Sequence, residues 1–263
     1  MVEEAAQATD SMAESMSRSF SYLEFPNFAN NSETLSLVQA ALDFHRQQQS
    51  NSINETTIGR TDTSSYIDAA VQNVNASCLR FSVDTYLSNE AQTVSQRLVF
   101  RLWDALKQDP QLHHFAKLQM KSEFDRFLTT SNQDLWDPAK KNMEWYTEQD
   151  QLGNRVREPC VNLYFPPSDA FEKHHDGLSM TFLMLLTDLQ DYQGGGTKLY
   201  GPDPERQEHV KVRPPAGTLL LWATDMMHEA LPITQGIRSV CVGSFQMIPE
   251  GEMGEYPVVT EKI

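Results

Sequence analysis

Hydrophobic residues in the first half of the chain recur at helical spacing. The clearest stripe lies within residues 91–107 and consists of Val94, Leu98, Leu102 and Leu106, flanked by Val99 and Trp103. Helical periodicity places these side chains on one face, which predicts a core-facing helix that ends before Pro110. The same kind of pattern predicts helices over residues 33–49, with Ser32 as the N-cap, and over residues 111–128.

The hydrophobic period changes to two after Glu158. Apolar residues now alternate with polar ones, as in the segment Val161, Asn162, Leu163, Tyr164 and Phe165. Residues 178–186 and 218–223 are short, nearly continuous apolar runs, and glycine or proline turns separate them from their neighbours. Many short strands between turns are typical of an all-β sandwich or barrel.

This change of period divides the chain into three parts. Residues 1–30 begin with a segment rich in Ser, Met, Ala and Glu, which predicts a mobile tail. Residues 31–150 form a helical supporting region, in which the polar segment 50–65 predicts a loop. Residues 151–263 are predicted to form the β-sheet core.

The composition favours an intracellular, cytoplasmic protein that does not enter a membrane. The N-terminus lacks the basic start and apolar core of a secretory signal, and no apolar run approaches the roughly 20 residues of a membrane helix. The three cysteines are odd in number and widely spaced, which fits a reducing compartment. Cys160 and Cys241 lie in apolar segments and are predicted to be core residues.

The charge balance disfavours nucleic acid as a partner. The chain has 21 basic and 36 acidic residues, a formal net charge of −15, and no block rich in Lys or Arg. An acidic surface repels phosphate backbones, so a neutral or cationic substrate fits better. No pattern sets an oligomeric state.

His174 and Asp176 form a His-x-Asp motif in an extended segment. Residues i and i+2 of a strand project to the same side, so both side chains can hold one metal. His228 follows a predicted strand and supplies the third ligand of a two-histidine, one-carboxylate face, which suits iron(II) because it leaves coordination positions open. His175 points to the opposite side and has Gly177 at the carboxylate position, so we do not expect it to be a ligand.

Arg238 lies ten residues after His228, at the start of the last long strand. A guanidinium offers a planar fork of donors that binds a carboxylate in a bidentate manner. Arg238 is therefore the candidate for the far end of a dicarboxylate whose near end chelates the metal. The four residues in this order and spacing are more specific than any of them alone.

These residues resemble the 2-oxoglutarate dioxygenase superfamily, and within it the prolyl 4-hydroxylase-like branch. The stretch from Tyr164 to Gly177, YFPPSDAFEKHHDG, is similar to that branch's segment entering the metal site. Further landmarks follow in order: LLTD at 185–188, GGGT at 194–197, VRPPAG at 212–217, LLW at 220–222 and GIR at 236–238. The resemblance covers about 158–247, and residues 1–150 match no particular member.

The resemblance implies an α+β fold with a double-stranded β-helix (jelly-roll) core and N-terminal supporting helices. It implies iron(II), 2-oxoglutarate as co-substrate and O₂, with ascorbate as a stimulant, and hydroxylation of an unactivated C–H bond with release of succinate and CO₂. The substrate would be a prolyl or other protein residue, or an amino-acid-like small molecule. In such enzymes a tyrosine at the position of Tyr164 lies beside the co-substrate, and Thr197, in the glycine-rich turn that follows, is a further candidate for co-substrate binding.

Several alternatives stay open. Tyr164 can instead be a core tyrosine, and Thr197 a residue of a tight turn. Leu185 stands where some relatives have a tyrosine, whereas Asp176 stands where halogenating relatives have a small residue, which favours hydroxylation. A non-catalytic or differently metallated, cupin-like jelly-roll protein is the alternative function. An AlkB-like demethylase would need a second arginine after Arg238, and the chain has none there.

Overall fold

The computed structural model describes residues 22–58, 78–108, 110, 143–145, 147–149, 155–166, 171–176, 178, 180–201, 209–223 and 226–247. The predicted helix over 111–128, and the predicted tail as far as residue 21, lie outside the described residues.

Three helices lie in the described part of the first half: α1 (Asn31–Ile58), α2 (Val83–Tyr86) and α3 (Asn89–Gln108). The last confirms the helix predicted over 91–107, and its apolar stripe is buried. The loop predicted over 50–65 is wrong for residues 50–58, because α1 continues through them. Extending a helix that has already formed costs far less than starting one, so polar residues can prolong it. No helix in the described ranges is long and apolar enough to cross a membrane.

Asn30, and not the predicted Ser32, caps the N-terminus of α1. The side-chain oxygen of Asn30 accepts the backbone N–H of Glu33 at 3.0 Å, and the Glu33 carboxylate accepts the backbone N–H of Asn30 at 3.0 Å. This reciprocal arrangement is a capping box. Arg101 of α3 donates to the same carboxylate at 2.8 Å, and this bond is the main cause that lowers the pKa of Glu33. The cap therefore also joins two helices.

We expect Asn30→Ala to lower the free energy of unfolding by about 1 kcal/mol, because the Glu33 N–H loses its acceptor. Urea unfolding followed by circular dichroism measures the change. Ser32→Ala is the matched control and should change stability by less than about 0.5 kcal/mol. Equal losses in the two variants would contradict the assignment of the cap to Asn30.

Fifteen strands follow one another along the described chain. They are β1 (Tyr22–Phe25), β2 (Cys78–Ser82), β3 (Met143–Trp145), β4 (Thr147–Gln149), β5 (Arg155–Arg157), β6 (Cys160–Tyr164), β7 (Phe171–His174), β8 (Met180–Leu185), β9 (Tyr192–Gly194), β10 (Thr197–Tyr200), β11 (His209–Val212), β12 (Leu219–Ala223), β13 (His228–Ala230), β14 (Ile233–Gly236) and β15 (Arg238–Met247).

The strands form mostly antiparallel sheets, with the helices outside them. The larger sheet has seven strands in the order β1-β12-β8-β15-β6-β2, and β3 also pairs with β15. The second has four strands in the order β11-β10-β13-β7, and two further sheets have two strands each. From β6 onward the chain passes repeatedly from the seven-stranded sheet to the four-stranded sheet and back. This confirms the many short strands predicted for the second half.

The two larger sheets share one buried cluster, which we call the inner core. Its members are Cys78, Tyr164, Leu183, Leu185, Tyr192, Leu199, Val212, Leu220, Trp222, Met226, Ala230, Ile233 and Val240. The opposite face of the seven-stranded sheet packs against α1 and α3 in a second cluster, the outer core, which includes Leu37, Leu98, Leu102, Leu163, Met184 and Cys241. The seven-stranded sheet is thus covered on both faces, and this explains why every residue of β6, β8 and β12 is buried.

Four strands lie where the sequence predicts none. Two of them, β3 and β4, lie at the end of the predicted helical region 31–150 and pair with β15 and β5. β1 occupies residues 22–25 within the predicted tail and pairs with β12, and β2 lies in the predicted helical region and pairs with β6. Short strands obtain their hydrogen bonds from distant segments, so local periodicity does not reveal them.

The predicted core positions of Cys160 and Cys241 are confirmed, since both thiols are free and buried.

Candidate active site

The structure brings His174, Asp176 and His228 together at one end of the inner core. His174 ends β7, His228 begins β13, and the two residues are register partners. Their ring centroids lie 4.2 Å apart, and Asp176 oxygens lie 3.7 Å from Nε2 of His174 and 3.5 Å from Nε2 of His228. One ligand atom from each residue falls within 4.8 Å of the others. His175 is exposed and does not belong to this cluster.

Backbone carbonyls orient both imidazoles in the same way. Nδ1 of His174 lies 2.7 Å from the carbonyl oxygen of Glu172, and Nδ1 of His228 lies 3.0 Å from that of Met226. A carbonyl only accepts, so Nδ1 carries the proton in each ring and Nε2 presents its lone pair. Burial, and after it the neighbouring His228, lowers the pKa of His174. The neutral imidazole is the form that binds a metal.

Thr181 of β8 orients the carboxylate of the cluster. Its hydroxyl donates to Oδ2 of Asp176 at 2.5 Å, and its side chain is fully buried. The sequence analysis does not single out Thr181, although a hydroxyl inside the apolar run 178–186 is a signal in itself. Buried polar groups are normally hydrogen-bonded, so such a residue needs a partner.

We expect Thr181→Val to weaken iron(II) binding by about tenfold or more, because hydrogen bonds to metal-ligating carboxylates are worth that much in affinity. Competition with a chromogenic iron(II) chelator measures the dissociation constant. Thr218→Val is the matched control, since Thr218 is equally buried but its hydroxyl has no partner among the described residues. The same affinity in Thr181→Val as in the parent protein would exclude this role.

Arg238 is a buried cation, and the described residues use only part of its hydrogen-bond donors. Its side chain is 1 % exposed, and Nη2 donates to the Thr197 hydroxyl at 3.0 Å. Nε and Nη1 make no hydrogen bond within the described residues. Leaving a buried charged donor unpaired costs more than leaving a neutral one, so this guanidinium is suited to receive an anion.

Tyr164 and Thr197 both lie against Arg238. Tyr164 is its register partner, and the guanidinium carbon lies 5.0 Å from the centre of the phenol ring. Burial raises the pKa of Tyr164 to about 12, so the phenol is neutral. Thr197 reaches Arg238 from the four-stranded sheet. The three residues predicted for co-substrate binding therefore form one group that bridges the two sheets.

Gly195 leaves room for the aliphatic part of the Arg238 side chain. It has a φ of +65°, and a Cβ built there would lie 3.3 Å from Cδ of Arg238 and 2.9 Å from Cγ2 of Ile233. A side chain would be strained by the backbone angle and crowded by both neighbours. The glycine run before Thr197 thus serves the close packing around the guanidinium.

The metal cluster and the Arg238 group adjoin β10 at two positions that are two residues apart. Leu199 is the register partner of His228, and Thr197, two residues away, bonds to Arg238. Two residues of a strand span about 7 Å. The carboxyl carbons of a five-carbon dicarboxylate are about 5 Å apart in an extended chain, and the bonds to the metal and to the guanidinium extend its reach. Such a molecule can therefore reach from the metal cluster to the guanidinium.

The sequence analysis also misses the buried pair Arg80 and Glu158. Glu158 is 5 % exposed, and its carboxylate bonds to the Arg80 guanidinium and accepts the backbone N–H of Ser244. Burial raises the pKa of Glu158 to about 7, and the charge of Asp176 adds to this effect. Glu158 thus contacts β15 at Ser244, six residues beyond Arg238 on the same strand.

Comparison with known proteins gives a partial match that contains all six candidate residues. Residues 160–246 match the model of the 2OG-Fe(II) oxygenase superfamily. A PKHD-type hydroxylase of Synechococcus sp. (strain CC9902) is 35% identical over 75 residues, 28% of this chain and 32% of the relative. A PKHD-type hydroxylase of Xylella fastidiosa (strain 9a5c) is 26% identical over 149 residues, 57% of this chain and 55% of the relative.

The chain spans about a third of the length of the Synechococcus relative and about half of the Xylella one. Among solved structures, a Pseudomonas putida prolyl-4-hydroxylase aligns with 89% of this chain and 96% of its own, at 14% identity and a TM-score of 0.47.

Proposed function

We propose that this chain, whose residues 160–246 belong to the 2OG-Fe(II) oxygenase superfamily, is an iron(II)- and 2-oxoglutarate-dependent dioxygenase that hydroxylates a C–H bond. The observation that carries the proposal is the buried Arg238, whose Nε and Nη1 have no partner among the described residues and which bonds to Thr197, two residues along β10 from the register partner of His228. A metal-binding jelly roll with other chemistry has no need for a buried, unpaired guanidinium at that distance.

The donor set fits iron(II). Two neutral imidazoles and one carboxylate on one side of an ion leave three positions for a chelating co-substrate and for oxygen. His174, Asp176 and His228 would hold the metal, with Thr181 fixing the carboxylate. When bound, iron(II) supplies the oxidising chemistry, in which 2-oxoglutarate and O₂ give succinate and CO₂ and one oxygen atom enters the substrate C–H bond.

The Arg238 group would bind the distal carboxylate of 2-oxoglutarate. Nε and Nη1 offer a charge-assisted pair of hydrogen bonds, while Thr197 holds Nη2 and the Tyr164 ring covers the guanidinium. The surrounding inner core is apolar, which strengthens these bonds and limits the access of water to the reacting centre.

The strand order supports a double-stranded β-helix. Strands β6, β8, β12 and β15 lie in the seven-stranded sheet, and β7, β10, β11 and β13 lie in the four-stranded one. We propose that these eight strands are the jelly roll, with residues 31–150 as its support. The substrate is proposed to be a prolyl or other protein residue, or an amino-acid-like small molecule. Ascorbate would stimulate turnover, and Asp176 favours hydroxylation over halogenation because it keeps the carboxylate ligand.

Anaerobic reconstitution with iron(II) tests the proposal. Addition of 2-oxoglutarate should produce a weak visible absorption band, because a 2-oxo acid chelates the ferrous ion, and exposure to O₂ should then release succinate. Protein loaded with zinc is the control and should give neither signal. Stoichiometric iron binding without the band or succinate would favour the non-catalytic, cupin-like alternative.

A further inference from the structure

One row of side chains crosses the seven-stranded sheet beside the metal cluster. Tyr22 pairs with Trp222, Trp222 with Thr181, and Thr181 with Ser244. Register partners on antiparallel strands project from the same face. That face is the inner one, because Trp222 belongs to the inner core and Thr181 donates to Asp176.

Two members of this row carry buried polar atoms without partners. Trp222 is fully buried and Ser244 is 2 % exposed, yet the indole Nε1 and the serine hydroxyl make no hydrogen bond within the described residues. The Trp222 ring lies 5.0 Å from the ring of His228. The two unpaired groups therefore flank Thr181, one on each side of the residue that holds the carboxylate ligand. Buried polar atoms are normally hydrogen-bonded, so we expect these two groups beside the metal cluster to bind a ligand.

The distal carboxylate of 2-oxoglutarate, bound at Arg238, would lie far from this row. Ser244 lies six residues beyond Arg238 on β15, which corresponds to about 20 Å along the strand. An extended five-carbon dicarboxylate spans about 5 Å between its carboxyl carbons, so only its metal-chelating end would come near the row. The row is at the level of Asp176, where the organic substrate has to approach the metal.

We propose that Trp222 and Ser244 are specificity-determining residues that donate hydrogen bonds to a carbonyl or carboxylate oxygen of the organic substrate. This inference rests on the proposed function. An indole N–H only donates and a serine hydroxyl can donate, so their common partner has to be an acceptor. An α-amino acid presents such an oxygen beside its C–H bonds, as a carboxylate when free and as an amide carbonyl within a peptide.

The charged pair beside Ser244 supports a polar occupant. Glu158 accepts the Ser244 backbone N–H and bonds to Arg80, so both charges lie at the same end of the inner core. A carboxylate and a guanidinium side by side complement the opposite charges of a dipolar group better than a hydrocarbon surface does. The chemistry of this end therefore matches an amino-acid unit.

The test uses the full chain loaded anaerobically with iron(II) and 2-oxoglutarate, whose visible band shifts when a substrate binds near the metal. Two probes are added separately: a mixture of the free proteinogenic L-amino acids, and the corresponding N-acetyl amino acid amides. Trp222→Phe and Ser244→Cys keep the size of each side chain and remove its effective donor. We expect each variant to need about tenfold more of the active probe for half of the band shift.

Matched controls come from the outer core. Ser239 on the same strand is equally buried, and its hydroxyl also has no partner among the described residues. Its register partner Leu163, however, faces the helices. Ser239→Ala and Trp145→Phe should respond to the probe as the parent protein does. A response to the free acids alone, to the amides alone or to both identifies the source of the oxygen, and each supports the inference.

Three results would overturn the inference: no shift of the parent band with either probe, equal half-saturation in the parent and both variants, or equal weakening in the controls. The visible band recorded before any probe is added distinguishes a failure of the proposed function from a failure of this inference. If the parent protein gives no band with iron(II) and 2-oxoglutarate, the proposed function itself fails. If the band forms and only the probe response disagrees, the inference alone fails.

Discussion

Arg238→Leu is expected to lower kcat/KM for 2-oxoglutarate by 10²-fold or more, mainly through a higher KM, while iron(II) binding stays nearly intact. Two donor atoms of the buried guanidinium have no partner in the part of the chain that the structure describes, and hydrogen bonds to a charged group are worth about 1.5–3 kcal/mol each. At roughly 1.4 kcal/mol per factor of ten, two such bonds account for the loss. Titration of 2-oxoglutarate against succinate formation measures it.

Arg238→Lys should recover part of the loss, because lysine keeps the charge but lacks the planar fork. Chelator competition on both variants checks that the metal cluster is unaffected, since Arg238 bonds to Thr197 and not to a metal ligand. An unchanged KM in Arg238→Leu would remove the co-substrate clamp. The guanidinium would then have to be regarded as a purely structural group between the two sheets.

Loss of the anaerobic visible band should be complete in His174→Ala and in His228→Ala. Each substitution removes one of only two imidazoles in the cluster, and the remaining pair of ligands leaves the ion largely in water. Absorption spectra after addition of iron(II) and 2-oxoglutarate give the result directly. Far-ultraviolet circular dichroism shows whether each variant has kept its sheets.

His175→Ala is the matched control for these variants. His175 is exposed, whereas its neighbour His174 lies against His228, so the band and most of the turnover should survive. The reverse pattern, with iron lost from His175→Ala and retained by His174→Ala, would mean that the register of β7 is displaced by one residue.

The candidate site could be predicted from sequence because its residues lie in short, ordered motifs. His174 and Asp176 are two residues apart, and the spacing from His228 to Arg238 follows from adjoining strands, so neither depends on the rest of the chain. The helix α3 was equally predictable, since one apolar stripe faces a single sheet. For the site motifs and for α3, the spacing of residues within a short segment is enough to make the prediction.

The remaining parts depend on contacts between distant segments. The β2 strand gains its hydrogen bonds from β6, about 80 residues later, and Arg80 finds Glu158 only through that pairing. Thr181 acquires its role from its hydrogen bond to Asp176, five residues earlier, and nothing in the spacing of the two residues indicates it. Asn30 and Ser32 are both good capping residues, so only the path of the chain decides between them.

The position of β1 has a practical consequence for how this protein can be shortened or fused. Residues 22–25 cover the outer edge of β12, whose sequence LLLWA is apolar throughout. An uncovered apolar edge strand is a template for pairing with another molecule, and natural proteins avoid such edges. A truncation beyond residue 25 would therefore leave β12 as an uncovered apolar edge that is prone to aggregation. Affinity tags should be attached, and N-terminal truncations should end, before Tyr22, so that β1 still covers the edge of β12.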